Sequence, residues 1–131
     1  MVLDNNKLML IYGFEEEEKS FLDNMIKDLN LPSYRIIEEN MADMRISDII
    51  GGLFVDTYDK KLANEKVILF NNFTDSELDM AIRTIRSNKS IKPILAVVTP
   101  TSINWEFHYL LNHLIEEREQ ARKLMQQKAQ G

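Results

Sequence analysis

The segment KLMLIYGF at residues 7–14 returns as KVILFNNF at residues 66–73, and this repetition decides the predicted fold. Both segments read as strands that lead into a helix. Later in each half, Pro32 stands just before YRII as Pro93 stands just before LAVV, and the offset between the two copies drifts only from 59 to 61 residues. So small a drift predicts a duplicated strand-helix-strand-helix unit with one or two short loop insertions.

Size and composition indicate that the two copies form one domain, which we place at residues 1–131. The chain has 131 residues, of which 44% are hydrophobic and 28% are charged, as in an ordinary soluble domain. A half of about 50 residues buries too little apolar surface to offset its chain entropy. The halves, at about 7–52 and 66–117, should therefore share one core, joined by a connector at 53–65 and followed by a polar helical tail at 118–131.

Three continuous apolar runs predict strands that are buried on both faces: residues 8–12, 67–70 and 94–98. A fourth candidate, Tyr34 to Ile37, is shorter and contains Arg35, so it suits the edge of a sheet. Apolar residues at helical spacing predict a crossover helix in each half. These residues are Phe21, Leu22, Met25, Ile26 and Leu29 in the first half and Leu78, Ala81, Ile82 and Ile85 in the second.

Each half should end in a further helix. The first of these should begin after Asp43 and end at Gly51-Gly52, because glycine adopts the left-handed cap conformation at little steric cost. The second should begin at Asn104, a good N-cap residue, and turn Trp105 toward the core. The connector should dock through its first apolar residues, while its second part is solvated. These apolar residues are Leu53, Phe54, Val55 and Tyr58.

The predicted fold is α/β, with two repeated βαβα halves that share one four-stranded, mainly parallel sheet flanked by helices. Strand order 2-1-3-4 is the first choice, because right-handed crossovers favour parallel neighbours within each half. A pseudo-twofold axis between the halves would make the central pair antiparallel, and the sequence leaves that direction open. This order places the apolar run 94–98 at an edge, where it needs a cover or a partner strand.

Two motifs in the second half resemble an uncharacterised small bacterial domain of the Firmicutes type, a family of unknown function. One is VILFNNFTDSEL at 67–78, and the other is AVVTPTSINWEFHYLLNHLIEE at 96–117, whose distinctive part is a strand followed by Thr-Pro-Thr-x-x-Asn-Trp and a helix. The resemblance covers about residues 66–117 and is weaker over 7–52. It implies no activity, ligand or cofactor. This chain has Asn71-Asn72 where the resemblance implies Tyr-Gly.

A ligand site is predicted beyond the carboxyl ends of the strands, where open α/β sheets bind small molecules. Hydroxyl, amide and indole groups would meet there, from Asn71, Asn72, Thr99, Thr101, Asn104 and Trp105, with Gly13 and Ser102 beside them. The competing interpretation is that the loop residues are ordinary caps and that the indole packs. An exposed Trp105 near Asn72 would favour the ligand site, and an indole buried against the sheet would favour packing.

The sequence predicts no catalytic residue, cofactor or metal site. His108 and His113 are five positions apart, whereas helical ligands on one face are three or four apart. No Ser/His/Asp order, phosphate-cradling glycine loop or paired Asp motif is present. The acidic run at 15–18 is explained by the positive end of a helix dipole. The cations Arg83, Arg86, Lys89 and Lys92 are explained by a helix end, with an RNA or phosphate patch as the alternative.

Charge and cysteine content bound the function. The net charge of −5 argues against a general nucleic-acid partner, since phosphate binding needs a positive field. Cysteine is absent and neither a signal nor a membrane-spanning segment is recognisable, which predicts a cytoplasmic protein. We expect a non-enzymatic protein-interaction or regulatory module, which could form a homodimer through the apolar edge strand or the last helix. The alternative is a domain that binds a small molecule or an anion, and that could act on it as an enzyme, through the loops at the carboxyl ends of the strands.

Overall fold

A computed structural model describes residues 6–53 and 61–130 of the chain. Four strands form one sheet: β1 (Leu8–Tyr12), β2 (Tyr34–Ile36), β3 (Val67–Asn71) and β4 (Ile94–Val97). Four α-helices surround it: α1 (Glu16–Leu29), α2 (Ile46–Ile50), α3 (Asp75–Ser87) and α4 (Phe107–Gln130). Short 3-10 helices at Glu39–Met41 and Ser102–Asn104 precede α2 and α4.

The strand order is β2-β1-β3-β4, which confirms the first-choice prediction. β1 is parallel to β2 and β3 is parallel to β4, as right-handed crossovers require. The central pair, β1 and β3, is antiparallel, with Leu10 directly opposite Leu69. The sheet is therefore mixed, with two parallel pairings and one antiparallel pairing.

Helices cover both faces of the sheet, because the central strands carry apolar side chains on both sides. On one face, Met9, Ile11, Ile68 and Phe70 pack against α1 and α3. On the other face, the alternate residues of the same strands pack against α2 and α4. That second core contains Leu8, Leu10, Tyr12, Val67, Leu69, Ile46, Ile49, Phe107, Leu110 and Leu111.

The prediction of burial on both faces holds for β1 and β3 but is wrong for β4. Every residue of β1 and β3 is buried, whereas Val97 in β4 leaves 50% of its surface exposed. The apolar run in β4 resembles those of the central strands, but the strand lies at the edge of the sheet. Apolar content alone does not distinguish a central strand from an apolar strand at the edge of the sheet.

The predicted start of the last helix at Asn104 is also wrong, since α4 begins at Phe107. Trp105 adopts an extended conformation, and its carbonyl accepts a hydrogen bond of 3.0 Å from the backbone N–H of Ile46. In return, the N–H of Phe107 donates to the carbonyl of Met44 at 2.9 Å. These bonds join the loops before α2 and α4, and this pairing of two distant segments delays the helix.

The first of the two terminal helices ends at the predicted glycines. Gly52 has a φ of 79°, and the N–H of Leu53 returns to the carbonyl of Asp48 at 3.0 Å. This bond caps the C-terminus of α2, and the positive φ of Gly52 allows the chain to make it. The prediction for Phe54, Val55 and Tyr58 lies outside the described residues.

The described ends of the connector differ from the prediction at Leu53 and at two residues of the second part. Leu53 is 53% exposed, whereas Leu62 and Ala63 pack against the core. The hydroxyl of Tyr12 donates to the carbonyl of Ala63 at 3.4 Å, which holds the second part of the connector beside the sheet.

The polar tail continues α4 as a helix, with Leu124 and Met125 exposed. No helix in the described part of the chain has both the length and the apolar character needed to cross a membrane.

Candidate functional site

The predicted ligand residues at the end of β3 have different surroundings. Asn71 is buried, and its side-chain Nδ2 donates to the carbonyl of Asn6 at 2.6 Å. Asn72 is exposed and has a φ of 62°, a conformation that asparagine adopts more readily than most residues. Asn71 is thus committed to a bond within the protein, and Asn72 forms the turn into α3.

Gly13 does not join this group, which corrects the prediction. Because β1 runs antiparallel to β3, the end of β1 lies at the start of β3 instead of at its end. Gly13 has a φ of 86° and sits against the backbone of Glu65 and Lys66. Its glycine character is explained by this close approach of two backbone segments.

The loop after β4 is organised by its own hydrogen bonds. The N–H of Thr99 donates to Ser102 Oγ at 3.0 Å, the N–H of Ser102 donates to Thr99 Oγ1 at 2.9 Å, and the two hydroxyls are 3.1 Å apart. This reciprocal pair closes the turn between β4 and the 3-10 helix at Ser102–Asn104. Thr101 and Asn104 are exposed on the same loop.

Trp105 is partly buried and packs against the core on the α4 side of the sheet. Its indole meets the ring of Tyr109 edge-on at 4.8 Å and the ring of His113 at 5.2 Å between centroids. These contacts favour the packing interpretation for the indole. A ligand role for Asn71, Asn72, Thr99, Thr101, Asn104 and Trp105 stays a prediction.

The outer edge of β4 is the most exposed apolar feature of the sheet. The N–H of Ile94 donates to the carbonyl of Lys66 and the N–H of Val98 to that of Phe70, so these alternate residues face β3. The backbone groups of Leu95 and Val97 therefore point to the outer edge. Among the described residues, no strand pairs with that edge.

A cavity of about 410 Å³ lies where α3 ends and β4 begins. Its apolar lining comes from Ile85, Ile91, Pro93 and Leu95, and its polar lining from Arg86, Asn88, Lys89 and Lys92. We call Arg86, Lys89 and Lys92 the basic rim. Within the described ranges, none of the three takes part in an ion pair, whereas Arg83 on α3 pairs with Asp79 at 3.1 Å.

The basic rim has acidic neighbours across the loop that follows α3. A second cavity, of about 300 Å³, is lined by Glu15, Glu17 and Glu18 together with Asn88, Ser90 and Ile91. The loop at 88–91 therefore separates a basic cavity from an acidic one.

Asp43, Glu106 and His108 form a further polar cluster, whereas the sequence analysis considered His108 only together with His113. His108 Nε2 lies 2.7 Å from Glu106 Oε1 and 3.6 Å from Asp43 Oδ1. Asp43 belongs to the loop before α2 and the other two residues to the start of α4, so the pairing of these loops brings them together. The sequence carried an indirect signal, since the segments at 43–44 and 104–105 occupy matching positions in the two copies and the two loops that contain them pair in the fold.

An ion pair ties the start of β3 to α4. Arg118 donates from Nη1 and Nη2 to the two carboxylate oxygens of Glu65, both at 2.7 Å. The hydrogen bonds from Arg118 hold the pKa of Glu65 below its ordinary value, outweighing the opposing effect of burial. The pair therefore connects the segment just before β3 to α4.

We expect the Glu65→Gln variant to lose about 1 kcal/mol of stability at pH 7. Because the folded-state pKa is lowered, the ionised form stabilises the native state above the ordinary pKa of 4.5, and this contribution is lost as the pH falls through the folded-state pKa. Urea unfolding at pH 7 and pH 3 should therefore show a difference between the two proteins that shrinks at acid pH. Glu116→Gln, at an exposed position on the same helix, is the control, and a difference independent of pH would contradict the assignment.

In comparison with known families, residues 66–120 match a family described as Domain of unknown function (DUF3783). The match spans β3, α3, β4 and the first half of α4, and it confirms the resemblance at the level of a family of unknown function. Neither the curated proteins nor the solved structures yielded a match.

Proposed function

We propose that the protein is a non-enzymatic interaction module of the cytoplasm that binds an extended, acidic segment of a partner protein along the outer edge of β4. The observation that carries this proposal is an apolar edge strand whose outward backbone groups have no strand partner among the described residues. A peptide that adds a strand to such an edge gains main-chain hydrogen bonds for affinity and side-chain contacts for specificity.

The two edges of the sheet differ in the way that this proposal requires. On β2, Arg35 donates to the carbonyls of Ile49 and Ile50 at 2.7 and 2.8 Å, which ties that edge strand to α2. The matching position in β4 is Ala96, and the strand ILAV contains no charged residue. A charged edge strand discourages pairing with another chain, whereas an uncharged apolar one favours it.

The basic rim supports an acidic partner. The chain as a whole carries a net charge of −5, yet the cavity beside the start of β4 presents Arg86, Lys89 and Lys92. A peptide strand on the outer edge would reach this cavity at Pro93 and Leu95. Its carboxylates would then meet cations that form no ion pair within the described part of the chain.

The Val97→Pro variant tests the edge directly. The N–H of Val97 points outward, so proline removes a donor from the open edge without breaking a bond to β3. We expect it to weaken binding of an alternating Val-Glu peptide of about ten residues by at least tenfold. NMR titration of the labelled protein should place the shift changes at Leu95 and Val97, and Val97→Thr, which keeps the N–H, should bind as the parent does.

The charge reversals Lys89→Glu and Lys92→Glu test the partner's chemistry. Both variants should bind the acidic peptide more weakly and the matched Val-Lys peptide more tightly than the parent does. Arg83→Glu, on the solvent side of α3, is the control. Two outcomes would support the small-molecule alternative. One is a set of NMR shift changes confined to the loop at 99–105. The other is a rise in melting temperature that inorganic phosphate causes in the parent but not in Thr101→Ala. Dimers that Val97→Pro dissociates, with no peptide binding, would assign the edge to a second copy of the chain.

The internal duplication is part of the same proposal, and reciprocal contacts support it. A shift of 59 positions relates each residue in the early part of the first copy to its counterpart in the second. Leu10 lies opposite its own counterpart, Leu69. Lys7 pairs with Glu77 at 3.0 Å, and the counterparts of these two residues, Lys66 and Glu18, pair at 3.4 Å. A bridge joins Arg45 to Glu106, at an offset of 61. Residues 7–52 would then be a divergent copy of the unit at 66–117, related to it by a pseudo-twofold axis. The divergence at Arg35 and Ala96 would leave one edge closed and the other open.

A further inference from the structure

The donor atoms of Asp43, Glu106 and His108 converge from two loops that are far apart in the sequence. One ligand atom from each residue lies within 4.8 Å of the others. The side chains of Asp43 and His108 are 30% and 29% exposed, and that of Glu106 is 46% exposed. The cluster is thus anchored in the protein and still open to an ion from solvent.

The backbone around the cluster holds these donors in place. Asp43 stands between Ala42 and Met44, whose carbonyls accept hydrogen bonds from the N–H groups of His108 and Phe107 at 3.0 and 2.9 Å. Glu106 pairs through its backbone with Arg45. Because these bonds join main-chain atoms of the two loops, they fix the loops relative to each other and reduce the entropy lost when an ion binds.

The distances and the donor types suit a transition-metal ion. Two ligands of a tetrahedral zinc ion are about 3.4 Å apart, given zinc-ligand bonds of about 2.1 Å. His108 Nε2 is 2.7 Å from Glu106 Oε1 and 3.6 Å from Asp43 Oδ1, so modest side-chain rotations suffice. An imidazole nitrogen favours zinc over magnesium or calcium, which prefer oxygen ligands alone.

We propose that Asp43, Glu106 and His108 bind a divalent transition-metal ion, with zinc as the preferred ion. The ion would join the loop before α2 to the start of α4 and so link the two halves of the chain. Three protein ligands leave at least one coordination position open to water or to a group from a partner. This site is distinct from the β4 edge.

The test uses tag-free, chelator-treated protein and isothermal titration with Zn²⁺, with visible absorption of Co²⁺ as the spectroscopic probe. We expect one ion per chain with micromolar affinity or better, and a melting temperature raised by several degrees under saturating zinc. His108→Ala and Asp43→Asn should each weaken binding at least tenfold. Circular dichroism checks that both variants are folded.

His113→Ala is the matched control, because His113 lies on the same helix, 3.4 Å from Glu117, and outside the cluster. Its affinity for zinc should stay within about twofold of the parent. The proposal is overturned by the absence of saturable one-to-one binding at micromolar zinc, or by equal affinities of the parent and His108→Ala. Binding that is lost in His113→Ala but kept in His108→Ala would also overturn it.

Discussion

Replacement of Phe107 by alanine is expected to lower the free energy of unfolding by about 3–5 kcal/mol. The side chain is fully buried at the start of α4, and its ring lies 5.3 Å from that of Tyr12 in β1. Truncation would leave a cavity between the sheet and α4, at the point where the paired loops meet. Domains of this size have about 5–15 kcal/mol of stability, so the loss is a large share of the total.

Urea unfolding followed by circular dichroism measures this effect, with Tyr109→Ala as the control. Tyr109 lies on the same helix, but its side chain is 53% exposed and contacts Trp105 at the surface. Its replacement should cost less than about 1 kcal/mol. Equal losses in the two variants would mean that Phe107 does not pack as described.

The Gly13→Ala variant should be destabilised by about 2–5 kcal/mol, for two reasons that add. The φ of 86° is unfavourable for any residue with a Cβ atom. That Cβ would also collide with the backbone carbonyl of Glu65, which cannot move without shifting the start of β3. The melting temperature should fall by more than about 5 °C.

Asn72 provides the comparison, because it occupies the matching turn after β3 and also has a positive φ, of 62°. Asn72→Ala should cost about 1 kcal/mol, the price of the left-handed conformation alone. The larger loss expected for Gly13→Ala combines the collision with Glu65 and the removal of glycine, which tolerates a positive φ better than asparagine does. If Gly13→Ala were no worse than Asn72→Ala, the close approach of the two backbones would be wrong.

The outcome of the site prediction follows from strand direction. Gly13 and Asn72 were expected at one edge of the sheet because both follow a strand. The antiparallel pairing of β1 with β3 sends them to opposite edges instead. The carboxyl ends of β3 and β4 therefore lie at one edge of the sheet, and those of β1 and β2 lie at the other. In the loop at 99–105, the hydroxyls of Thr99 and Ser102 already bond within the loop.

Local sequence patterns determined where the strands and crossover helices lie. Apolar runs, helical spacing and the flanking prolines act over a few residues, so the four strands and the helices α1, α2 and α3 could be predicted from them. The division into two halves, with the preference of right-handed crossovers for parallel neighbours within each half, also led to the strand order β2-β1-β3-β4.

Contacts between distant segments decided the rest. The direction of β1 relative to β3, the start of α4 at Phe107 and the cluster of Asp43, Glu106 and His108 each depend on how the halves meet. Hydrogen bonds between the loops before α2 and α4 override the capping preference of Asn104, because they satisfy backbone groups that the helix would otherwise use. The sequence by itself therefore determined the elements and their order, and the tertiary structure decided which of their ends lie together.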